Sequence, residues 1–457
     1  MRERSLSVTR GENPLLRMQN HFECGILFRN FTGDGERVLG QMREKVKNAG
    51  AACGAFLKWL ALAGVTGMAV GAAAVAFHWS IGTVSALRTM YPWLVWLLPA
   101  GGAATALVYK LAGMTDDKGT NQILISARDG SPVKLRMAPL IFFSTVVTHL
   151  VGGSAGREGA ALQLGGSMAS FAGRRLGLDE KDRGIMVLCG MAGAFSALFG
   201  TPITAAVFPM EVVSVGIMHY ATIVPCLVSS VAAFLLARAL GLHGLVGYAA
   251  GEPAALSAAS MVQTLTLGVL CAAVSVLFCG AMHQSKKLYA KYIPDPVLRG
   301  AAGGAIVLVL TLALGTQLYG GAGDELIRKV LGGQTIWYAF LLKILLTALT
   351  MGAGMRGGEI VPALCVGCAF GTWMGPVLGL PHGFAGALGM TAVFCGSTNC
   401  PVTSLLLSFE LFGGEGMVLF ALCSAVSYML SGYCSLYSEQ KIVYSKFRTE
   451  WIDKKAT

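Results

Sequence analysis

Charge is scarce in this chain. Only 13% of its 457 residues are Asp, Glu, Lys or Arg, while 54% are hydrophobic, and the mean hydropathy is +0.63. Soluble domains carry roughly 25% charged residues. A water-exposed globular protein is therefore excluded, and a polytopic membrane protein is what the composition describes. Catalytic signatures are scarce too. There is no HExxH and no facing pair of aspartates, so an intramembrane enzyme working through buried carboxylates such as Glu158 and Glu359 has no motif behind it. The 12 cysteines sit mostly inside apolar runs. Cys365-Val366-Gly367-Cys368 has CxxC spacing, but no second pair or histidine cluster accompanies it. The cysteines therefore read as small packing residues, and neither a metal nor a cofactor is expected. No Sec-type signal peptide opens the chain.

What is present suits a membrane transporter. Some apolar runs reach the ~20 residues that span a bilayer, and others are about half that. Glycine, at 60 residues, is roughly twice its usual share. Small residues let membrane helices approach closely, and they also interrupt them. Mixed long and broken helices fit a transporter with a midplane site. The net charge of +11 is gathered in clusters. Arg43, Lys45 and Lys47 precede the first span, and Arg174, Arg175, Lys181 and Arg183 follow a later one. Lys286, Lys287, Lys291 and Arg299 lie near the middle, and Lys441, Lys446, Arg448, Lys454 and Lys455 lie in the tail. The positive-inside rule puts these segments, and with them both termini, on the cytoplasmic side of an inner or plasma membrane. The basic balance is not read as nucleic-acid binding.

Residues 1–41 are polar without a clear period and are expected to be a disordered extension. Residues 42–434 carry the spans. Apolar runs lie at 55–77, 92–111, 137–151 and 160–172, and then at 185–213. That last run is split by Gly200-Thr201-Pro202, because proline restricts the residue before it. Further runs lie at 222–239, 261–282, 301–318, 336–351, 360–377, 384–395, 402–412 and 416–430. Asp116 to Ile123 reads as a loop from pattern alone, with a Gly and an Asn that would leave backbone donors free. The tail, 435–457, is short, polar and too small for a second globular domain.

The stretch Gly152 to Ala160 is Gly-rich and carries a carboxylate, Glu158, between two apolar runs. Glycines leave backbone N–H groups accessible at a helix start, which is a ready anion site. A carboxylate held there can be displaced by a passing anion, or can release it on protonation, which makes a gate. The same residues also fit a tight turn with a capping Glu and no transport role. A repeat bears on the choice. Gly190, Met191, Phe195, Pro202, Thr204 and Glu211 recur as Gly389, Met390, Phe394, Pro401, Thr403 and Glu410, each offset by 199 (389−190, 410−211). Upstream, Glu158 has a counterpart in Glu359, offset by 201 (359−158). Two homologous halves with matching helix starts point to a site at their interface. If the halves are inverted, two positive dipole ends converge and the ligand is an anion.

Gly156-Arg157-Glu158-Gly159 resembles the GREG/GKEG motif of the CLC chloride channels and anion/proton antiporters. Phe199-Gly200-Thr201-Pro202 with Glu211, and Gly358-Glu359-Ile360-Val361-Pro362, fall where that family has its later motifs. The resemblance covers about residues 50–447. It implies an all-α fold built as a CLC-type inverted repeat of long and broken helices, with the first repeat about 50–242 and the second about 257–434. It also implies a homodimer with one anion pathway per subunit, and no CBS domains in the tail. Glu158 would be the gating, proton-carrying glutamate. Anion ligands would lie at Thr120, Asn121, Gly159, Ile360 and Val361, joined by a tyrosine from the last helix. Tyr437 matches that tyrosine, Tyr433 and Tyr444 compete with it, and an interfacial anchor is the other reading of Tyr437.

Several motifs resemble the fluoride-exporting branch of the family. The common GSGIP motif reads Gly119-Thr120-Asn121-Gln122-Ile123, and Glu359 stands as a possible second acidic site. The internal proton-relay glutamate of chloride exchangers falls at Val212. Leu135-Arg136-Met137-Ala138-Pro139, Thr148-His149-Leu150 and Glu410-Leu411-Phe412-Gly413 are similar to that branch as well. Departures from it are Val361 in place of a Thr, and Ala363 and Leu364 where an aromatic is expected. The implied function is exchange of a halide, fluoride or chloride, for protons across the lipid bilayer; a passive chloride channel on the same fold is the alternative. The anion is expected to be held by backbone donors with no lysine or arginine inside the pathway. Arg157 is expected to face away from the pore and brace its loop.

Overall fold

The computed structural model describes residues 14–242, 244, 248 and 250–457, with side chains from Gln41 onward. The first helix is α1 (Pro14–Met90), and a 3-10 turn (Pro92–Leu97) leads into α2 (Leu98–Leu111). Then come α3 (Thr120–Asp129), α4 (Met137–Leu150), α5 (Glu158–Arg175), α6 (Glu180–Phe199) and α7 (Pro202–Val212). A short strand β1 (Ser214–Val215) precedes α8 (Ile223–Ala239), α9 (Ala258–Tyr292), α10 (Pro296–Leu314), α11 (Asp324–Leu331) and α12 (Ala339–Gly352). The series continues with α13 (Ile360–Leu378), α14 (His382–Thr398), α15 (Pro401–Phe412) and α16 (Met417–Leu430), and closes with strands β2 (Lys441–Tyr444) and β3 (Trp451–Lys455). Contacts divide the chain into one unit ending at Trp59 and another running from Leu60 to Thr457.

The first unit differs from expectation. Residues 1–13 lie outside the described residues, but from Pro14 the backbone is helical rather than irregular. Pro14 sits at the first helical position, where its missing N–H costs nothing. No further proline occurs until Pro92. There the chain leaves the helix at Tyr91, whose φ of −122° and ψ of 76° suit a residue preceding proline.

Among the described residues, seven stretches are long and apolar enough to cross a membrane, the first of them Gln41–Met90. Five further apolar helices of 10–17 residues are too short to cross alone. Backbone polar groups cannot stay unpaired in lipid, so such half-helices must be buried against their neighbours. The helix pairs α5–α6 and α13–α14 form the interior. In both pairs, glycines set the approach. A Cβ on Gly165 or Gly190 would strike the other's carbonyl oxygen, and the same holds for Gly367 and Gly389.

The 199-residue offset has a geometric counterpart. Thr201 and Cys400, the residues before Pro202 and Pro401, have φ/ψ of −121°/80° and −120°/74°. Gly200 and Asn399 are both left-handed, at φ of 73° and 60°. The two glutamates of the repeat cross over. Glu211 on α7 accepts from Val402 N (3.0 Å), Thr403 N (2.8 Å) and Thr403 Oγ1 (2.6 Å) at the start of α15. Glu410 on α15 accepts from Ile203 N (2.9 Å) and Thr204 N (2.8 Å) at the start of α7. Each carboxylate thus caps the other repeat's helix, satisfying amides that have no intrahelical acceptor.

The tail is ordered against this frame. β2 pairs parallel to β1 and antiparallel to β3. Gln440, fully buried, donates to Val212 O (2.9 Å) and Thr398 O (2.7 Å), tying both repeats to the tail.

Candidate functional site

The two Gly-rich helix starts meet. Gly156 N donates to Gly358 O at 2.6 Å, and Gly358 N donates to Gly156 O at 2.7 Å, closing an antiparallel bridge. The bridge brings the start of α5 beside the start of α13. The space there is tight: a Cβ on Gly159 would lie 2.9 Å from Gly358 Cα and 3.0 Å from Glu359 Oε2. Only glycine fits, which explains the second glycine of Gly156-Arg157-Glu158-Gly159.

Glu158, Gly159, Ile360 and Val361 are all buried here. Ala161 N donates to Arg157 O and Ala363 N to Glu359 O, so helical bonding begins only beyond the first amides. The N–H groups of Gly159, Ile360 and Val361 precede the first intrahelical acceptor. Pro362 occupies a position where its missing donor is not needed.

Glu158 is fully buried and folds back over its own helix start, beside its own amide. Its carboxylate accepts from Arg157 N and from Arg157 Nε, each at 3.1 Å. Arg157, expected to brace its loop, is bonded to the Glu158 carboxylate. Consecutive helical residues diverge, but Arg157 caps α5 with φ of −112° and ψ of −23°. From that position its guanidinium reaches the neighbouring carboxylate, and two buried charges avoid the cost of burial apart.

Glu359 caps α13 and stands next to Thr120 and Tyr437, with no arginine on its carboxylate among the described contacts. Thr120 opens α3 behind Gly119, which is left-handed at φ of 62°. The stretch Asp116 to Ile123, a loop by pattern alone, is thus a loop only as far as Gly119. Gln163 on α5 donates to Thr120 Oγ1 at 3.1 Å and joins the two starts. Asn121 turns its side chain elsewhere: Asn121 Oδ1 accepts from Glu439 N at 2.9 Å. Only its backbone remains at the helix start.

Tyr437 is 1% exposed, and its hydroxyl is buried beside the Glu359 carboxylate, outside strict hydrogen-bond geometry. An interfacial anchor would keep its hydroxyl wet. The competing tyrosines are engaged or exposed. Tyr433 Oη bonds Ser445 Oγ at 2.8 Å, and Tyr444 is 41% exposed. His149 is packed, with Nδ1 2.9 Å from Thr145 O. Val212 is buried in the core.

One residue near the site was missed from sequence. Lys343 is fully buried in the apolar helix α12 and donates to Gly321 O (2.7 Å), Ser154 Oγ (3.0 Å) and Tyr319 O (3.2 Å). It braces the loop ahead of Glu158. A lone lysine inside an apolar helix was the signal that could have found it. The same loop, Gly152-Gly153-Ser154-Ala155-Gly156, also has the GxSxG spacing of a hydrolase nucleophile. Ser154 is 1% exposed and its hydroxyl is held between Lys343 and Thr347, so it is closed to a substrate.

The sequence profile described as voltage gated chloride channel matches residues 101–432. The chain belongs to the voltage-gated chloride channel (CLC) family. A chloride/fluoride channel protein of Pseudomonas syringae pv. tomato is 34% identical over 396 residues, covering 85% of this chain and 87% of that one. The voltage-gated ClC-type chloride channel ClcB of Escherichia coli is 26% identical over 347 residues, covering 72% and 82%. Among solved structures, a CLC-type fluoride/proton antiporter matches with a TM-score of 0.81 and 30% identity, covering 84% of this chain and 98% of that one. A slow cyanobacterial Cl−/H+ antiporter, at 20% identity and a TM-score of 0.68, shares the fold. This CLC chain is thus an anion-transport protein with the family's inverted-repeat architecture.

Proposed function

We propose that this CLC protein exchanges fluoride, in preference to chloride, for protons, with Glu158 as the gate and Glu359 as a second acidic site. The observation that carries this reading is the Gly156–Gly358 bridge. Through it, two buried carboxylates border helix starts whose first amides lack intrahelical acceptors. Glu158 occupies its own start, where an incoming anion must displace it or find it protonated. The buried Tyr437 hydroxyl, beside the Glu359 carboxylate, supplies a further donor. The anion is held by the amides of Gly159, Ile360 and Val361, those of Thr120 and Asn121 at the start of α3, and Tyr437. The protein works as a homodimer with one pathway per subunit, and both termini are cytoplasmic.

The ion assignment is supported by Glu359. A carboxylate one residue from the anion's amides disfavours a large, weakly hydrated anion. A small, strong acceptor bonds short to N–H groups and to a protonated carboxyl, which suits fluoride. The named relatives include a chloride/fluoride channel protein and a fluoride/proton antiporter.

The test uses purified protein in liposomes under equal fluoride and chloride gradients. Fluoride should move much faster than chloride and drive proton movement. Glu158→Gln should alter anion flux and abolish proton coupling. Anion flux without proton movement in the unaltered protein would make it a passive channel, and full coupling in the variant would remove Glu158 from the gate.

A further inference from the structure

The tail is fastened to α3 through one residue. Glu439 N donates to Asn121 Oδ1 at 2.9 Å, and Arg128 Nη1 donates to Glu439 O at 3.1 Å. Lys118 Nζ, from just ahead of α3, donates to Glu439 Oε1 at 3.1 Å. The amide, carbonyl and carboxylate of Glu439 are thus all held by α3 and its approach. The next residue, Gln440, is held from the other side, by Val212 O, Thr398 O and Asn399 Nδ2. Tyr437 belongs to the same turn, since Gln440 N donates to its carbonyl at 3.0 Å.

Asn121 is the second residue of α3, which begins on Gly119 with no side-chain cap. Asparagine is a poorer helix former than alanine, so α3 itself does not call for it, and its side-chain oxygen bonds the tail instead. That bond closes a ring. Thr120 and Tyr437 both stand beside the Glu359 carboxylate, Asn121 follows Thr120, and Glu439 follows Tyr437 by two residues. Two residues of chain reach at most about 7 Å. The Tyr437 hydroxyl has no bond of strict geometry to fix it. Its place is therefore set by the backbone that carries it, and Asn121 holds that backbone against α3.

We propose that Asn121 is a positioning residue for Tyr437: its side chain keeps the tail on α3, so that the Tyr437 hydroxyl stays at the anion site beside Glu359. One residue then serves the pathway twice, with its backbone amide toward the anion and its side chain toward the tail. The side chain itself does not touch the anion and acts only through the tyrosine. Arg128 holds the same tail residue by its carbonyl and is the second fastening from α3. This inference rests on the anion-transport reading and on Tyr437 as one of its donors.

The test is a double-mutant cycle on initial anion uptake, for fluoride and chloride in turn, with full-length protein in phosphatidylcholine vesicles. Asn121→Ala and Tyr437→Phe should each raise the anion KM by about tenfold, the effect of losing one hydrogen bond to an ion. The double variant should lie within about twofold of Tyr437→Phe alone, because both changes take the same hydroxyl from the site. Damage unconnected with Tyr437 would instead multiply with it, to about a hundredfold. That result would overturn the inference, as would the unaltered KM in Asn121→Ala. Asn121→Ala keeps the backbone amide and trims a half-buried side chain. If it does not stay monodisperse, Arg128→Met takes its place in the cycle, with the same expected lack of additivity. The unaltered KM in Tyr437→Phe would overturn the inference together with that tyrosine's place at the anion. No anion flux in the unaltered protein would instead refute the transport reading.

Discussion

The reciprocal carboxylate caps on α7 and α15 can be removed one at a time. Glu211→Ala deletes the acceptor of three hydrogen bonds, from Val402 N, Thr403 N and Thr403 Oγ1, at a site 7% exposed. Bonds to a charged group contribute about 1.5–3 kcal/mol each and a lost N-cap about 0.5–2 kcal/mol. The three share one acceptor and so overlap, and we expect a loss of about 4 kcal/mol. Glu410→Ala deletes two bonds, from Ile203 N and Thr204 N, around a half-buried carboxylate. Water can replace part of what is lost there, so about 2 kcal/mol is expected. Both caps fasten the same two helices. Once one is gone the other has less to hold, and the double variant should lose about 1 kcal/mol less than the sum. The assay is equilibrium unfolding of the purified protein in mixed micelles titrated with a denaturing detergent. A Glu410→Ala loss equal to or above that of Glu211→Ala would refute the argument that burial and bond number set the order.

Two further outcomes follow from single contacts. Gly159→Ala puts a Cβ 2.9 Å from Gly358 Cα and 3.0 Å from Glu359 Oε2, so anion flux in vesicles should fall about tenfold or more while the protein stays monodisperse; flux at the unaltered rate would mean the two helix starts tolerate separation. Glu439 outside the spans is held below the ordinary carboxylate range first by its bond to Lys455 Nζ (2.6 Å) and then by Lys118 Nζ (3.1 Å). Its contribution is therefore present above about pH 4 and is lost as pH falls through the depressed value. Glu439→Gln should lower stability by about 1 kcal/mol at neutral pH, and the difference should shrink in acid; a difference independent of pH in the same unfolding assay would exclude this ion-pair account.

How far the sequence could be read depended on the range of each interaction. The break at Gly200-Thr201-Pro202 was legible because proline acts on its neighbour, and α6 does end at Phe199 with α7 beginning at Pro202. The starts of α5 and α13 were legible from glycines beside Glu158 and Glu359. The repeat exposed Glu211 and Glu410 as equivalent, but not that each caps the other's helix across 192 and 206 residues of chain. α11 was not anticipated: its eight residues carry Asp324, Glu325, Arg328 and Lys329 and fall between the apolar runs at 301–318 and 336–351. The tail strands were hidden for a similar reason. β1 has two residues, and its partner lies more than 200 residues away. Lys343, read as part of an apolar run, needs Gly321 and Tyr319 in place before its burial makes sense.

The two carboxylates at the bridged helix starts have different company, and that difference bears on the proposed exchange. Glu158 is held by a guanidinium and a backbone amide, both from Arg157. On the proposed reading, an anion that takes the place of the carboxylate at the helix amides brings a negative charge near Arg157, so the guanidinium is not left without a counter-charge. Leaving Arg157 buried alone would cost several kcal/mol. Displacement and replacement are therefore tied together. Glu359 has hydroxyl neighbours, Thr120 and Tyr437, and the basic group within its electrostatic reach is Lys286. An anion beside it gains no fixed positive partner and depends on donors that can turn, the amides staying in place while the hydroxyls reorient. One bridged helix start thus carries a carboxylate paired with a guanidinium, and the other a carboxylate with rotatable hydroxyl neighbours. Position 212, a buried valine, can carry no proton, so any proton movement must use other groups.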